Sequence, residues 1–182
     1  MSPWDLNPSA LQEPWRLWTG QIAHWGLDHA AVNFVACALP LALLDAPRRK
    51  ALLMGLPVLL PLLSLALLPG LQASPYRGAS GLACLLWAAS GCGVWASGRW
   101  RLGGMLLALL GLKLFIEAFF GIGPLAQDAQ WRVFPQAHRW GALMGLGVGL
   151  LWRPWRDFEA SAPRADTAAP TNRQGPPTFF YN

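Results

Sequence analysis

Ser80, His138, His29 and Asn33 are the residues of this chain whose types and spacing could do acyl-transfer chemistry. Ser80 lies between glycines in the stretch Tyr76-Arg77-Gly78-Ala79-Ser80-Gly81. A serine hydroxyl becomes a nucleophile when a base takes its proton, and histidine is the usual base. His138 is the candidate base. His29 and Asn33 are four residues apart, one turn along the same helix face, with His24 just before them. The oxyanion of a tetrahedral intermediate needs preorganised donors. The Asn33 amide, the His29 imidazole N–H and the Ser80 backbone N–H are suitable. Glu117 and Asp128 are the carboxylates nearest His138 in sequence, and neither spacing argues that it orients the imidazole. The expectation is therefore a Ser80–His138 dyad rather than a triad. Lys113 and Glu117 form a second pair at i, i+4. They read either as a buried ion pair that neutralises two costly charges, or as a polar contact that shapes a substrate entrance or binds a lipid head group.

The elements that must position these residues are apolar. The chain has 182 residues, of which 54% are hydrophobic and 13% charged, with a mean hydropathy of +0.32. Soluble domains carry about 25% charged residues. Five runs approach the ~20 residues needed to cross hydrocarbon: 24–44, 51–69, 79–97, 102–121 and 137–152. In lipid the backbone must satisfy itself, so the runs predict helices and an all-α polytopic membrane protein. Pro57 and Pro61 should kink the second run, a defect that neighbouring helices can absorb. Residues 1–23 read as an outer N-terminal segment and loop, 24–152 as the transmembrane domain, and 153–182 as a disordered cytoplasmic tail rich in Pro and Ala. Residues 1–13 lack the basic and apolar regions of a cleavable signal peptide.

The net charge of +5 does not point to nucleic acid, because the basic residues fall in particular loops. Arg48, Arg49 and Lys50 follow the first run, Arg99 and Arg101 the third, Arg153 and Arg156 the fifth; the alternate loops carry only Arg16, Arg77 and Arg132. By the positive-inside rule the first group is cytoplasmic. The N-terminus is then outside and the C-terminus inside. Odd-numbered spans share an entry face, so Ser80, His138, His29 and Asn33 come to one depth near the outer surface. Behind His138 stand Gly141, Gly145 and Gly149, and behind Ser80 stand Cys84, Ala88 and Cys92. Such stripes let helix backbones approach closely in lipid. If they face one another, Ser80 and His138 come within reach. Cys37, Cys84 and Cys92 all lie within spans. Their odd number suggests no disulfide framework, and they are expected to be small packing residues. No metal and no cofactor is expected.

These residues resemble the rhomboid intramembrane serine proteases over about residues 15–150. Trp15-Arg16 with Thr19 is similar to the WR element of the first outer loop, and His24 with His29-Ala30-Ala31-Val32-Asn33 to the H…HxxxN segment. Gly78-Ala79-Ser80-Gly81 is similar to the GxSG motif. Ala137-His138-Arg139-Trp140-Gly141, then Gly145, is similar to AHxxGxxxG. The fuller YRGxSG form, and the Lys113–Glu117 helix followed by Gly121-Ile122-Gly123-Pro124, resemble the rhombosortase branch. The resemblance implies a rhomboid-like helical bundle, here with five transmembrane helices instead of six, the first span being absent. It implies Ser80 as nucleophile, His138 as base, and His29 and Asn33 as the oxyanion site, with His24, Gly78, Gly81 and Gly141 in support. Relatives often carry an aromatic residue or His one turn after the serine. Cys84 stands there instead, which leaves Trp87 and Trp140 to orient His138. The implied substrates are membrane proteins exported by Gram-negative bacteria that end in a Gly-Gly motif, a C-terminal transmembrane helix and basic residues. The implied location is the bacterial inner membrane, with the site facing the periplasm. Whether the acyl-enzyme passes to water or to an amine acceptor stays open. The rival expectation is an inactive rhomboid-like protein that binds transmembrane clients.

Overall fold

The computed structural model describes residues 2–71, 75–121 and 134–152. Asp128, Arg132, the Ile122-Gly123-Pro124 turn and the tail beyond 152 lie outside them. The described residues form helices and no strand, and each of the five apolar runs is one helix. A four-residue helix α1 (Arg16–Thr19) precedes α2 (Leu27–Leu43), α3 (Ala46–Leu67), α4 (Ser80–Ala96), α5 (Trp100–Phe120) and α6 (Pro135–Leu151). Two helical stretches, Ala46–Gly70 and Trp100–Phe120, are long and apolar enough to cross a membrane. α2 and α4 are apolar but shorter, at 17 residues each.

α3 starts earlier than its apolar run. Asp45 accepts the Arg48 N–H at 3.0 Å and Pro47 stands in the first turn. This cap and a proline at the start suffice to begin a helix before the apolar residues do. Arg48, Arg49 and Lys50 therefore lie on the first turns of α3 rather than in a loop.

α4 is the central helix: 12 of its 17 residues are buried. Its neighbours reach it through small residues. Cβ atoms added to Gly141, Gly145 and Gly149 of α6 would overlap Gly81 O, Leu85 O and Cys92 Cβ of α4. Gly103 of α5 approaches the backbone of Gly91 and Trp95 in the same way. The glycine stripe of α6 thus faces α4, as its spacing predicts. On α4 the facing row includes Gly81, Leu85 and Ala88, while Cys84 turns toward Ala88, Leu110 and Ala142 between α5 and α6.

α3 runs on through Pro57 and Pro61, and α2 contains Pro40. A helical proline has no N–H to offer the carbonyl four residues earlier. Two of those freed carbonyls accept from tryptophan indoles on other elements. Trp18 Nε1 donates to Pro57 O and Trp87 Nε1 to Ala36 O, each at 2.9 Å.

Residues 2–22 fold onto one end of the bundle, the capped end. Leu6 and Ala10 are buried with Leu67, Leu71, Tyr76 and Ala137. Leu6 exchanges backbone hydrogen bonds with Tyr76, at 3.1 and 2.8 Å. Asp5 pairs with Arg77 and Glu13 with Arg16. Gln21 Nε2 donates to Ser64 Oγ at 3.1 Å, and Ser64 Oγ donates to Leu17 O at 2.6 Å.

Candidate functional site

At the capped end, α2, α4 and α6 bring the candidate nucleophile, base and oxyanion donors to one level. Ser80 is the first residue of α4 and is partly buried. The chain enters α4 through Gly78, whose φ of +129° is a conformation that glycine tolerates and other residues rarely adopt. A Cβ on Gly78 would also lie 2.8 Å from His29 Cε1 and 3.6 Å from Asn33 Nδ2. Glycine here therefore lets the backbone two residues before Ser80 press against both candidate oxyanion donors.

Asn33 is buried, and its Nδ2 donates to no partner among the described residues. Native structures rarely leave a buried amide donor unused, and such a group calls for an explanation. His29 stacks edge-on against His24, with ring centroids 5.2 Å apart. The Trp25 N–H points at His29 Nδ1 over 3.5 Å. In that contact Nδ1 can act as the acceptor, and Nε2, the ring nitrogen nearer Gly78, can carry the imidazole proton. His24 contributes to a cavity of about 310 Å3 beside this pair, lined by Trp4, Asp5, Thr19 and Arg77 among others.

His138 sits in the first turn of α6, which Pro135 opens. It is buried, at 5% exposure. Its neighbour Ala137 abuts Gly81, the residue after Ser80: a Cβ on Gly81 would lie 3.0 Å from Ala137 O. Tyr76 completes this corner. Its hydroxyl accepts the Gly81 N–H at 3.3 Å and lies against the Ser80 hydroxyl. Burial pushes the Tyr76 phenol up to about 12, despite these two contacts.

Glu117 corrects one expectation, because it does reach His138: its Oε2 lies 2.7 Å from His138 Nδ1. Lys113 Nζ donates to Glu117 Oε1 at 2.6 Å and lies 3.0 Å from the same Nδ1. The Lys113–Glu117 ion pair is thus present, and it is shared with the histidine. Neither tryptophan is seen to take the orienting place, since Trp87 is committed to Ala36 O and Trp140 is exposed. The depth argument could have found Glu117. α5 runs toward the capped end, so a residue one turn from its C-terminus comes level with the first turn of α6. Two further contributors were also missed: the Tyr76 hydroxyl, and Asp5, which holds Arg77 two residues before Ala79. No periodicity or spacing signals either one.

Among the described residues no three His, Cys, Asp or Glu side chains gather as a metal site would require. Comparison with protein families, with curated proteins and with solved structures gives no match to the chain.

Proposed function

We propose that this chain is an intramembrane serine endopeptidase of rhomboid type, with five membrane spans and its site near the periplasmic face of a bacterial inner membrane. The observation that carries the reading is the meeting of three helices at the capped end. Gly78 presses on His29 and Asn33, and Gly81 presses on Ala137. The proposed nucleophile and base therefore stand on backbones in contact, and the side chains of the proposed donors lie against the backbone that leads into Ser80.

In this reading Ser80 Oγ attacks the scissile carbonyl of a transmembrane substrate while His138 Nε2 takes its proton. The Asn33 amide and the His29 Nε2–H receive the developing oxyanion. Such a donor contributes about 10²–10³ in rate. The protonated His138 then gives its proton to the leaving amine, and the ester on Ser80 passes to water or to an amine acceptor. The substrates would be exported proteins with a Gly-Gly motif and a C-terminal transmembrane helix, as in rhombosortase processing. Tyr76, Arg77 and Gly78 of the fuller motif support that narrower assignment through their places beside Ser80.

The test is fluorophosphonate labelling of the detergent-purified protein. Ser80→Ala should abolish labelling, and His138→Ala should slow it by on the order of 10³-fold or more. Equal labelling of wild type and both variants would overturn the proposal. A Gly-Gly-tailed reporter processed equally by wild type and Ser80→Ala would overturn the narrower one.

A further inference from the structure

We infer that Glu117 is a positioning residue for His138: its carboxylate fixes the imidazole with the proton on Nδ1, and Lys113 clamps that carboxylate. The inference rests on the assignment of Ser80 and His138 above and adds a third member to what reads as a dyad. Two observations carry it. Glu117 Oε2 and His138 Nδ1 are 2.7 Å apart, with 3% and 6% of their side chains exposed. A carboxylate oxygen and an imidazole lone pair cannot share that distance without a proton between them. Lys113 donates to the other oxygen at 2.6 Å, and this ammonium contact favours the ionised carboxylate, which accepts through both oxygens. The shared proton then belongs to Nδ1, and Nε2 keeps the lone pair that a base for Ser80 needs.

Lys113 also makes the arrangement one-sided. Its ammonium lies 3.0 Å from Nδ1. Were it to donate there instead, the imidazole proton would move to Nε2 and the base would be lost. The carboxylate decides between the two tautomers, because it is the only one of the two neighbours that can accept the Nδ1 proton. Cys84, one turn after Ser80, faces the same pair from α4 and lies against the Lys113 ammonium.

Glu117→Gln tests this with little change of shape. Lys113 still requires an acceptor and takes the glutamine oxygen, which turns the amide N–H toward Nδ1 and forces the proton onto Nε2. The readout is long-range ¹⁵N–¹H correlation of histidine-labelled protein in detergent at pH 8, with His138→Gln identifying the His138 signals. Wild type should show Nδ1–H and Glu117→Gln should show Nε2–H. Ser80-dependent fluorophosphonate labelling of the folded fraction should fall on the order of 10³-fold. An Nε2–H tautomer in wild type overturns the inference without any variant, which covers a Glu117→Gln protein that fails to fold. A glutamine variant that keeps Nδ1–H overturns it whatever its labelling rate. If the tautomer switches but wild type shows no Ser80-dependent labelling, the Glu117 contact stands and the protease assignment falls.

Discussion

The two ends of the α4–α6 seam are packed by the same device and hold different contents. At the capped end Gly141 lies on the backbone of Gly81 and Leu85; at the far end Gly149 lies on Cys92. At that far end Leu44, Val94 and Trp152 belong to one buried apolar cluster, and Leu44 and Trp152 pack against Gly93 of α4. At the capped end stand His138 with Glu117, Asn33 beside Gly78, and the Tyr76 hydroxyl on Gly81. A glycine stripe by itself therefore signals no chemistry, since it runs on where nothing polar gathers. What sets the capped end apart is the groups that are costly to bury, and in this seam they collect there.

Thickening both ends alike should separate them most. Gly141→Ala and Gly149→Ala each drive a methyl into α4, and overpacking of this kind costs roughly 1–3 kcal/mol. Melting temperatures in detergent should fall by similar amounts. Fluorophosphonate labelling of the folded fraction should fall only in Gly141→Ala, which shifts α6 where it carries His138. If Gly149→Ala loses labelling to the same degree, the site depends on the whole seam and the contrast between its ends fails.

Tyr76 probes the capped end alone. Its burial favours the neutral phenol, so the folded state keeps a proton that the unfolded chain loses near the ordinary value of about 10. Stability from this group is complete below pH 10 and is lost as pH rises toward about 12. A rise of that size corresponds to roughly 2–3 kcal/mol. Tyr76→Phe should flatten that alkaline loss, read as melting temperature against pH from 9 to 12. An identical slope in both proteins would mean that Tyr76 is not the buried phenol described here.

Helix existence was legible because every apolar run is bounded by charges, prolines or glycines. The approach of α6 to α4 was legible because Gly141, Gly145 and Gly149 repeat at one-turn spacing. The seat of Glu117 was legible from depth alone and not from spacing. Linear spacing relates residues within one helix, and the Glu117–His138 contact spans 21 residues and two helices. The start of α3 was missed because a cap at Asp45 and a proline at position 47 outweigh three basic residues. The fold of residues 2–22 was missed because the contacts that seat them on the bundle, such as Leu6 with Tyr76 and Asp5 with Arg77, are long-range and follow no period.

The weakest effects belong to the two tryptophans that serve proline-freed carbonyls, one bond to the N-terminal cap and one inside the bundle. Trp87→Phe removes the donor to Ala36 O and should cost about 1 kcal/mol, the net worth of a typical hydrogen bond. In a Pro40→Ala background residue 40 regains its N–H and can close the helical bond to Ala36, so the same substitution should cost less. The coupling between the two changes isolates the indole bond from the loss of ring area. Trp18 and Pro61 form the matching cycle at the capped end, through Pro57 O. That bond is exposed, so its coupling should be the smaller of the two. Equal couplings would mean that the N-terminal segment shields α3 as well as the bundle shields α2.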